Sequence, residues 1–321
     1  MKFNFATGVF YNPHLNLSLE KYMLDNVNKN EHIFFVWQND PTVVIGRNQN
    51  AEGECNLAAM ESDGVFLARR YTGGGAVFHD RGNLNFSFIC HKDDENIRGN
   101  LDFIIDACKQ FGIEAKATGR NDITVDGRKI SGNAFLRTKT GFLHHGTIMI
   151  NVDSAALGKY LTPSKEKLQS KGVASVKSRT VNLSSLNPAI TADSMAKALS
   201  DAWKERCSGK DCTIIDLNQL SKTAGVQEIY RHLSSKEWLM GRATAFTHRF
   251  KTRFSWGDFD LNLAVDNGVI SVCRIYSDSL DPDYIDALEK CFEGCEATKD
   301  SIVSKLQAGD VADFVTTLDF N

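Results

Sequence analysis

Three consecutive glycines, Gly73-Gly74-Gly75, stand between two runs that read as strands, Val65-Phe66-Leu67-Ala68-Arg69-Arg70 and Ala76-Val77-Phe78-His79. Glycine loses more conformational freedom on folding than any other residue. A triple glycine therefore makes sense where backbone N–H groups must lie against something that tolerates no Cβ. The segment predicts a tight turn with a cationic strand end before it and an apolar strand after it. Many Gly-rich turns between strands are plain turns, so this one carries no chemistry by itself. It also excludes two nucleotide-binding patterns: there is no G-x-x-x-x-G-K-[ST], and no G-x-G-x-x-G opening a helix.

The rest of the chain is organised around that turn. Leu15, Leu19, Tyr22 or Met23 and Val27 recur at helical spacing after Pro13. Residues 33–37 and 42–46 are β-branched or aromatic runs separated by Asn39-Asp40-Pro41, and 84–89 is another, entered through Asp80-Arg81-Gly82-Asn83. A helix is expected from about Asn100, with Leu101, Ile104 or Ile105, Cys108 and Phe111 on one face and Gly112 as its stop. Asp126-Gly127 supplies the positive φ of a tight turn and marks 122–130 as a hairpin. Between 162 and 182 the period is lost, and Lys165, Lys167, Lys171, Lys177 and Arg179 face one acid, Glu166, so a long mobile loop is expected. Met195, Leu199, Trp203 and Cys207 step by four along a helix that closes a first domain. From about Trp238 the strand-rich segments 252–256, 259–265 and 269–276 lead into a helix carrying Ile285, Leu288 and Phe292. These boundaries give a large domain over 1–235 and a small α+β domain over 245–321, linked near 231–247.

Composition narrows the function classes. The 321 residues are 42% hydrophobic and 24% charged, as in ordinary globular chains, and the net charge is −3, so no basic field invites duplex DNA or an anionic membrane. No stretch approaches the ~20 apolar residues of a membrane span, and the first residues lack an apolar signal core, so a cytoplasmic protein is expected. Eight cysteines are too sparse for a disulfide scaffold. Cys207/Cys212 and Cys291/Cys295 are the close pairs, and neither has the second ligand pair of a zinc site, so most of the eight read as buried, reduced packing thiols.

Two more segments carry candidate chemistry. In Gly127-Arg128-Lys129-Ile130-Ser131-Gly132-Asn133-Ala134, a lysine after a hairpin turn is ordinarily a solvated group. Ile130 and Ala134 around it, with Gly132 permitting close approach, allow Lys129 to point from a strand into a pocket. Asp122, before the same hairpin, reads ordinarily as a turn or capping carboxylate. His144 and His145 are adjacent on a predicted strand, face opposite ways and make a poor metal pair, so at most one faces a site.

Together, RRYTGGGAVFHDRGNLNFSF, GRNDI, GRKISGNAF, HHGTIMIN and SKGVASVKSRTVNL resemble the lipoate–protein ligase family, and WGDFDLNLAVDNGVISVCRIYSD extends the likeness more weakly to the C-terminus. The resemblance covers nearly the whole chain. It implies an α/β catalytic domain of the class II synthetase and biotin-ligase type, with a mixed sheet, flanking helices and a small α+β accessory domain that moves between steps. It implies activation of lipoate by ATP, with Mg²⁺, to lipoyl-AMP, then transfer of lipoyl to a lysine of a carrier. The implied partners are apo lipoyl domains of 2-oxoacid dehydrogenase E2 subunits and the glycine-cleavage H protein, with no nucleic acid or membrane. By carry-over, Lys129 bridges the lipoate carboxylate and the α-phosphate inside a sealed cleft. Arg70 pairs with phosphate, and Gly75, Ala76, Val77 and Phe78 line the nucleotide. Gly74 and His79 join Lys129 on the lipoate side, Asp122 helps to place Mg²⁺, and the 162–182 segment covers the adenylate. Four rivals remain at this stage: a lipoyl or octanoyl transferase with an acyl-carrier donor and a cysteine nucleophile, for which Cys90 is the nearest candidate; a variant using preformed lipoyl-AMP; a biotin ligase; and a non-catalytic carrier-binding module.

Overall fold

The computed structural model describes residues 2–7, 10–119, 121–162, 180–241 and 244–320. Its strands are β1 (Lys2–Thr7), β2 (Glu31–Trp37), β3 (Thr42–Ile45), β4 (Phe66–Arg69), β5 (Val77–His79), β6 (Asn83–His91), β7 (Lys116–Thr118), β8 (Asp122–Val125), β9 (Arg128–Arg137), β10 (Gly141–Met149), β11 (Asp211–Asp216), β12 (His248–Phe254), β13 (Gly257–Asp266) and β14 (Val269–Tyr276). Among the described residues, eight of them form a sheet in the order β11-β1-β2-β6-β10-β9-β8-β7. It is mixed, because β1 runs parallel to both β2 and β11 while β2, β6, β10, β9, β8 and β7 pair antiparallel. The edge strand β11 has no counterpart in the sequence reading, since its residues are largely exposed and carry no apolar alternation.

Alternation along the strands builds a core on each face of this sheet. Phe34 on β2 joins Phe88, Phe103 and Trp203 on one face. Its neighbour Phe35 joins Leu19, Leu143 and Leu233 on the other. The helix Pro13–Asp25 covers the second face and begins where the Asn12 side chain accepts from Leu15 N. The helix expected from about Asn100 spans Ile97–Lys109, because Asn96 caps it through Gly99 N, and Gly112 at φ +73° follows its end. The hairpin between β8 and β9 turns on Asp126 at φ +49° and Gly127 at φ +75°, as the Asp-Gly pair requires.

A separate three-stranded sheet, β4-β3-β5, carries the triple-glycine turn between its outer strands. The C-terminal unit is the sheet β12-β13-β14 with the helix Pro282–Phe292, around Phe259, Leu261, Ile275, Ile285 and Phe292. Within the segment expected to link the domains, the helix Ala224–Leu233 ends and a second short helix, Lys236–Met240, follows. Trp238 is held by the first domain, its indole N–H donating to Arg69 O at 2.9 Å and its ring 4.9 Å from that of Tyr71. An aromatic anchor, invisible as periodicity, thus pins this helix to β4. Residues 163–179 of the expected loop lie outside the described residues. No helix among the described residues is long and apolar enough to cross a membrane.

Candidate active site

Each glycine of the turn answers a different demand. At Gly73 a Cβ would stand 2.2 Å from Ser279 O, so glycine is required there by the C-terminal unit. Gly74 has φ +92° and donates its N–H to Ser279 O at 2.8 Å. A Cβ on Gly75 meets nothing within 4 Å, and this residue alone of the three is exposed. The expectation of three glycines clearing a ligand therefore holds at most for Gly75, because the other two are explained by protein packing. The docking is completed by Ser277 N donating to Asn48 O at 2.9 Å, Asn48 Nδ2 to Asp286 Oδ1 at 3.1 Å, and an Arg47–Asp286 ion pair. Gly73→Ala should force the two units apart and cost about 1–3 kcal/mol, read as a lower urea midpoint and faster proteolysis near 241–247. Gly75→Ala should leave both unchanged; equal damage from the two would contradict this division of roles.

Arg70 is buried, and its fork is turned onto the protein rather than outward. Its Nε donates to Thr72 Oγ1 at 3.0 Å, Nη1 to Val44 O at 3.2 Å, and Nη2 to Gly73 O at 2.7 Å and Gly75 O at 2.9 Å. The carbonyls of Gly73, buried, and Gly75, part-buried, lie outside the strand ladders and claim the guanidinium. Burial lowers its pKa to about 10, leaving it a cation at neutral pH. Arg69 is used the same way from the other side, donating to Gly46 O, Arg47 O, Gln49 O, Trp238 O and Leu239 O.

Behind the turn runs a buried polar chain that sequence reasoning missed. Thr72 Oγ1 lies 2.9 Å from His145 Nε2, and His145 Nδ1 lies 2.9 Å from Glu20 Oε1. Ser87 Oγ donates to the same carboxylate at 2.5 Å and accepts from Trp37 Nε1 at 3.0 Å. With the Thr72 oxygen taking the Arg70 Nε–H, its hydroxyl is free to donate to His145, which then donates to Glu20. His144 faces the other way, toward Asn133 Oδ1 at 2.9 Å. Glu20 gave no signal because the apolar stripe of its helix runs through Leu19 and Met23, and one buried carboxylate leaves no trace in that period.

Lys129 and Asp122 sit on neighbouring strands with Nζ and Oδ1 2.7 Å apart, and their side chains are 36% and 35% exposed. The contact is an ion pair without hydrogen-bond alignment. Lys129 folds over Gly132, where a Cβ would meet Nζ at 2.7 Å and displace the ammonium. Lys129 is thus half-buried, not sealed. Chain returning from residues 163–179 docks beside it, Val181 N donating to Lys129 O at 3.0 Å. Its strand β9 pairs with β10, where Ala134 faces His145, so one sheet ties Lys129 to the contact that holds Thr72. Among the described residues no three His, Cys, Asp or Glu side chains gather as a metal site. Asp122 is one carboxylate, enough for an ion that phosphate oxygens also bind.

Beyond the turn, Ala76 and Val77 are half-buried, while Phe78 is buried and stacks on Tyr160 at 5.6 Å. His79 is buried, its pKa pushed down to about 3 by desolvation with Arg70 and His145 nearby, so it is neutral. Cys90 is buried with its thiol pushed up to about 12 by desolvation, which removes the thiolate an acyl-cysteine route needs.

Two family models match the chain: the lipoyl protein ligase A/B catalytic domain over residues 12–204 and the bacterial lipoate protein ligase C-terminus over residues 243–320. The chain is 39% identical over 311 residues to a lipoate-protein ligase A of Psychrobacter cryohalolentis, covering 95% of this chain and 92% of that protein. It is 40% identical over 302 residues to one of Bdellovibrio bacteriovorus, covering 92% and 89%. Among solved structures it resembles P. falciparum LipL1 in complex with lipoate, at 35% identity and TM-score 0.81 over 98% of this chain and 97% of that one. A lipoate-protein ligase A bound with ATP matches at 26% identity and TM-score 0.61, over 75% of this chain and 99% of that one. A bipartite lipoate protein ligase from Thermoplasma acidophilum, studied with its E2 lipoyl domain, matches at 27% identity and TM-score 0.64, over 77% and 100%. The mixed sheet, the C-terminal unit docked on the glycine turn and the whole-length match agree: this chain belongs to the lipoate–protein ligase family.

Proposed function

We propose that this protein activates lipoate with ATP and transfers the lipoyl group to a lysine of a lipoyl carrier. The observation that carries the reading is the likeness to a ligase solved with lipoate, over 98% of this chain, and to one solved with ATP, over 75% of it, with an exposed Gly75 and a half-buried Lys129 in one domain. In the first step a lipoate carboxylate oxygen attacks the α-phosphorus, the bond to pyrophosphate breaks, and charge builds on the phosphoryl oxygens. Fixed cations and N–H donors lower that barrier. The Lys129 ammonium, paired here with Asp122, is the cation that a carboxylate and a phosphate oxygen would compete for and that would bring them to attack distance. The backbone from Gly75 to Phe78 lines the nucleotide, and Gly74 and His79 lie toward the acyl group. Mg²⁺, when bound with ATP, neutralises phosphate charge, and Asp122 is the carboxylate that would hold it. In the second step the carrier's lysine amine attacks the acyl carbon, AMP leaves, and the amine loses a proton to give the amide.

The carriers proposed are apo lipoyl domains of 2-oxoacid dehydrogenase E2 subunits and the glycine-cleavage H protein, met in the cytoplasm. The buried Cys90 thiol weighs against a transferase with a cysteine intermediate. Purified protein incubated with ATP, Mg²⁺, lipoate and an apo lipoyl domain should add one lipoyl mass to the carrier and catalyse lipoate-dependent ATP–pyrophosphate exchange. Transfer from supplied lipoyl-AMP without exchange would favour the preformed-adenylate variant, and carrier binding with neither would favour a non-catalytic module.

A further inference from the structure

We infer that Asn39, oriented by Asn16, is a positioning residue that holds His79 with its proton on Nε2, so that the site keeps one fixed, uncharged donor for a carboxyl oxygen of the acyl substrate. Hydrogen-bond bookkeeping along three buried side chains leads there. Asn16, Asn39 and His79 are 1%, 0% and 4% exposed. One end of the Asn16 amide contacts Phe10 O at 2.9 Å and Gln38 O at 2.8 Å. Backbone carbonyls only accept, so that end is the nitrogen. The same nitrogen, its two hydrogens already turned to those carbonyls, lies 3.0 Å from one end of the Asn39 amide; a second NH2 there would set donor against donor, so that end is the oxygen, sharing one of the two N–H groups. Asn39 is left to present Nδ2 to His79 Nδ1, 3.2 Å away. An N–H donor facing Nδ1 makes that nitrogen the acceptor, and in a neutral imidazole the proton then resides on Nε2.

The Nε2 of His79 is buried and has no hydrogen-bond partner among the described residues. A protein rarely keeps a buried donor unsatisfied, and such groups are commonly completed by a ligand or an ordered water. His79 ends the strand that follows the glycine turn, and its ring is 6.3 Å from that of Trp37. Burial disfavours the imidazolium, so the donor is neutral and adds no charge beside Arg70. The identity of the acceptor rests on the ligase reading above. Of the two parts of lipoate, the alkyl chain and dithiolane offer no strong acceptor, whereas the carboxyl group does.

The test uses the full-length protein labelled with ¹⁵N at histidine and a two-bond proton–nitrogen correlation spectrum. The expected spectrum shows His79 protonated on Nε2 and bare on Nδ1, with the Nε2–H signal moved by lipoate and not by ATP alone. A proton on Nδ1 overturns the inference. So does a signal moved by ATP alone, or one unmoved by lipoate whose binding calorimetry confirms. Absence of lipoate binding by calorimetry would instead sink the ligase reading, while the spectrum still decides the tautomer. Asn39→Asp substitutes an acceptor for the donor; it should draw the proton to Nδ1 and raise the KM for lipoate tenfold or more with the KM for ATP little changed. His79→Gln, whose amide keeps an N–H near the Nε2 position, should retain most of the lipoate affinity that His79→Leu loses. An inverted tautomer in Asn39→Asp with a wild-type KM for lipoate would overturn the positioning role.

Discussion

Lys129→Ala lowers lipoate-dependent ATP–pyrophosphate exchange by roughly 100-fold or more, the loss expected when one fixed transition-state donor is removed. The same substitution should scarcely move the urea midpoint. The Lys129–Asp122 pair is more than a third exposed on both sides, and such pairs contribute about 0–1 kcal/mol to folding. That contrast separates a catalytic lysine from a structural one. A structural lysine would lose activity in proportion to folded protein, whereas this one should give a folded enzyme that binds ATP and fails in adenylation. Lys129→Arg tests the geometry further, since the longer planar fork meets the space over Gly132 that a compact ammonium occupies. Exchange at the wild-type rate in the alanine variant would remove Lys129 from the chemistry.

Much of the frame around Lys129 is legible in the sequence because it is built from local rules. The hairpin that precedes it follows from Asp126-Gly127, and both residues have the positive φ that this pair supplies. The opposed directions of His144 and His145 follow from strand alternation, and the helix after Asn96 from its apolar period. What escapes are contacts whose cause lies far along the chain. Gly73 looks like a ligand-clearing glycine, yet the atom it clears is the carbonyl of Ser279 in the C-terminal unit. Glu20, Asn16 and Asn39 are polar residues buried beside apolar neighbours, and no periodicity announces them. Arg70 is the instructive intermediate case. Its charge and its place before the glycines are plain in the sequence, but the direction of a flexible cation is set by which acceptors lack donors once the turn has formed.

That direction makes a second large effect predictable. Arg70→Ala leaves the buried carbonyls of Val44 and Gly73 without its donors and the part-buried Gly75 carbonyl to water, and a buried acceptor left unsatisfied costs about 1–3 kcal/mol. The variant should lose roughly 2 kcal/mol or more of stability, and, if the glycine turn lines the nucleotide as proposed, its KM for ATP should rise tenfold or more while its KM for the carrier domain stays near wild type. Arg70→Lys then tells shape from charge. If Arg70 acts as a cation toward phosphate, lysine should recover most of the ATP affinity. If its fork holds the turn, one ammonium cannot span the same carbonyls from a single stem, and the lysine variant should resemble alanine in both urea midpoint and KM for ATP. Equal rises in the KM values for ATP and carrier would defeat both versions, since either one confines the damage to the glycine turn.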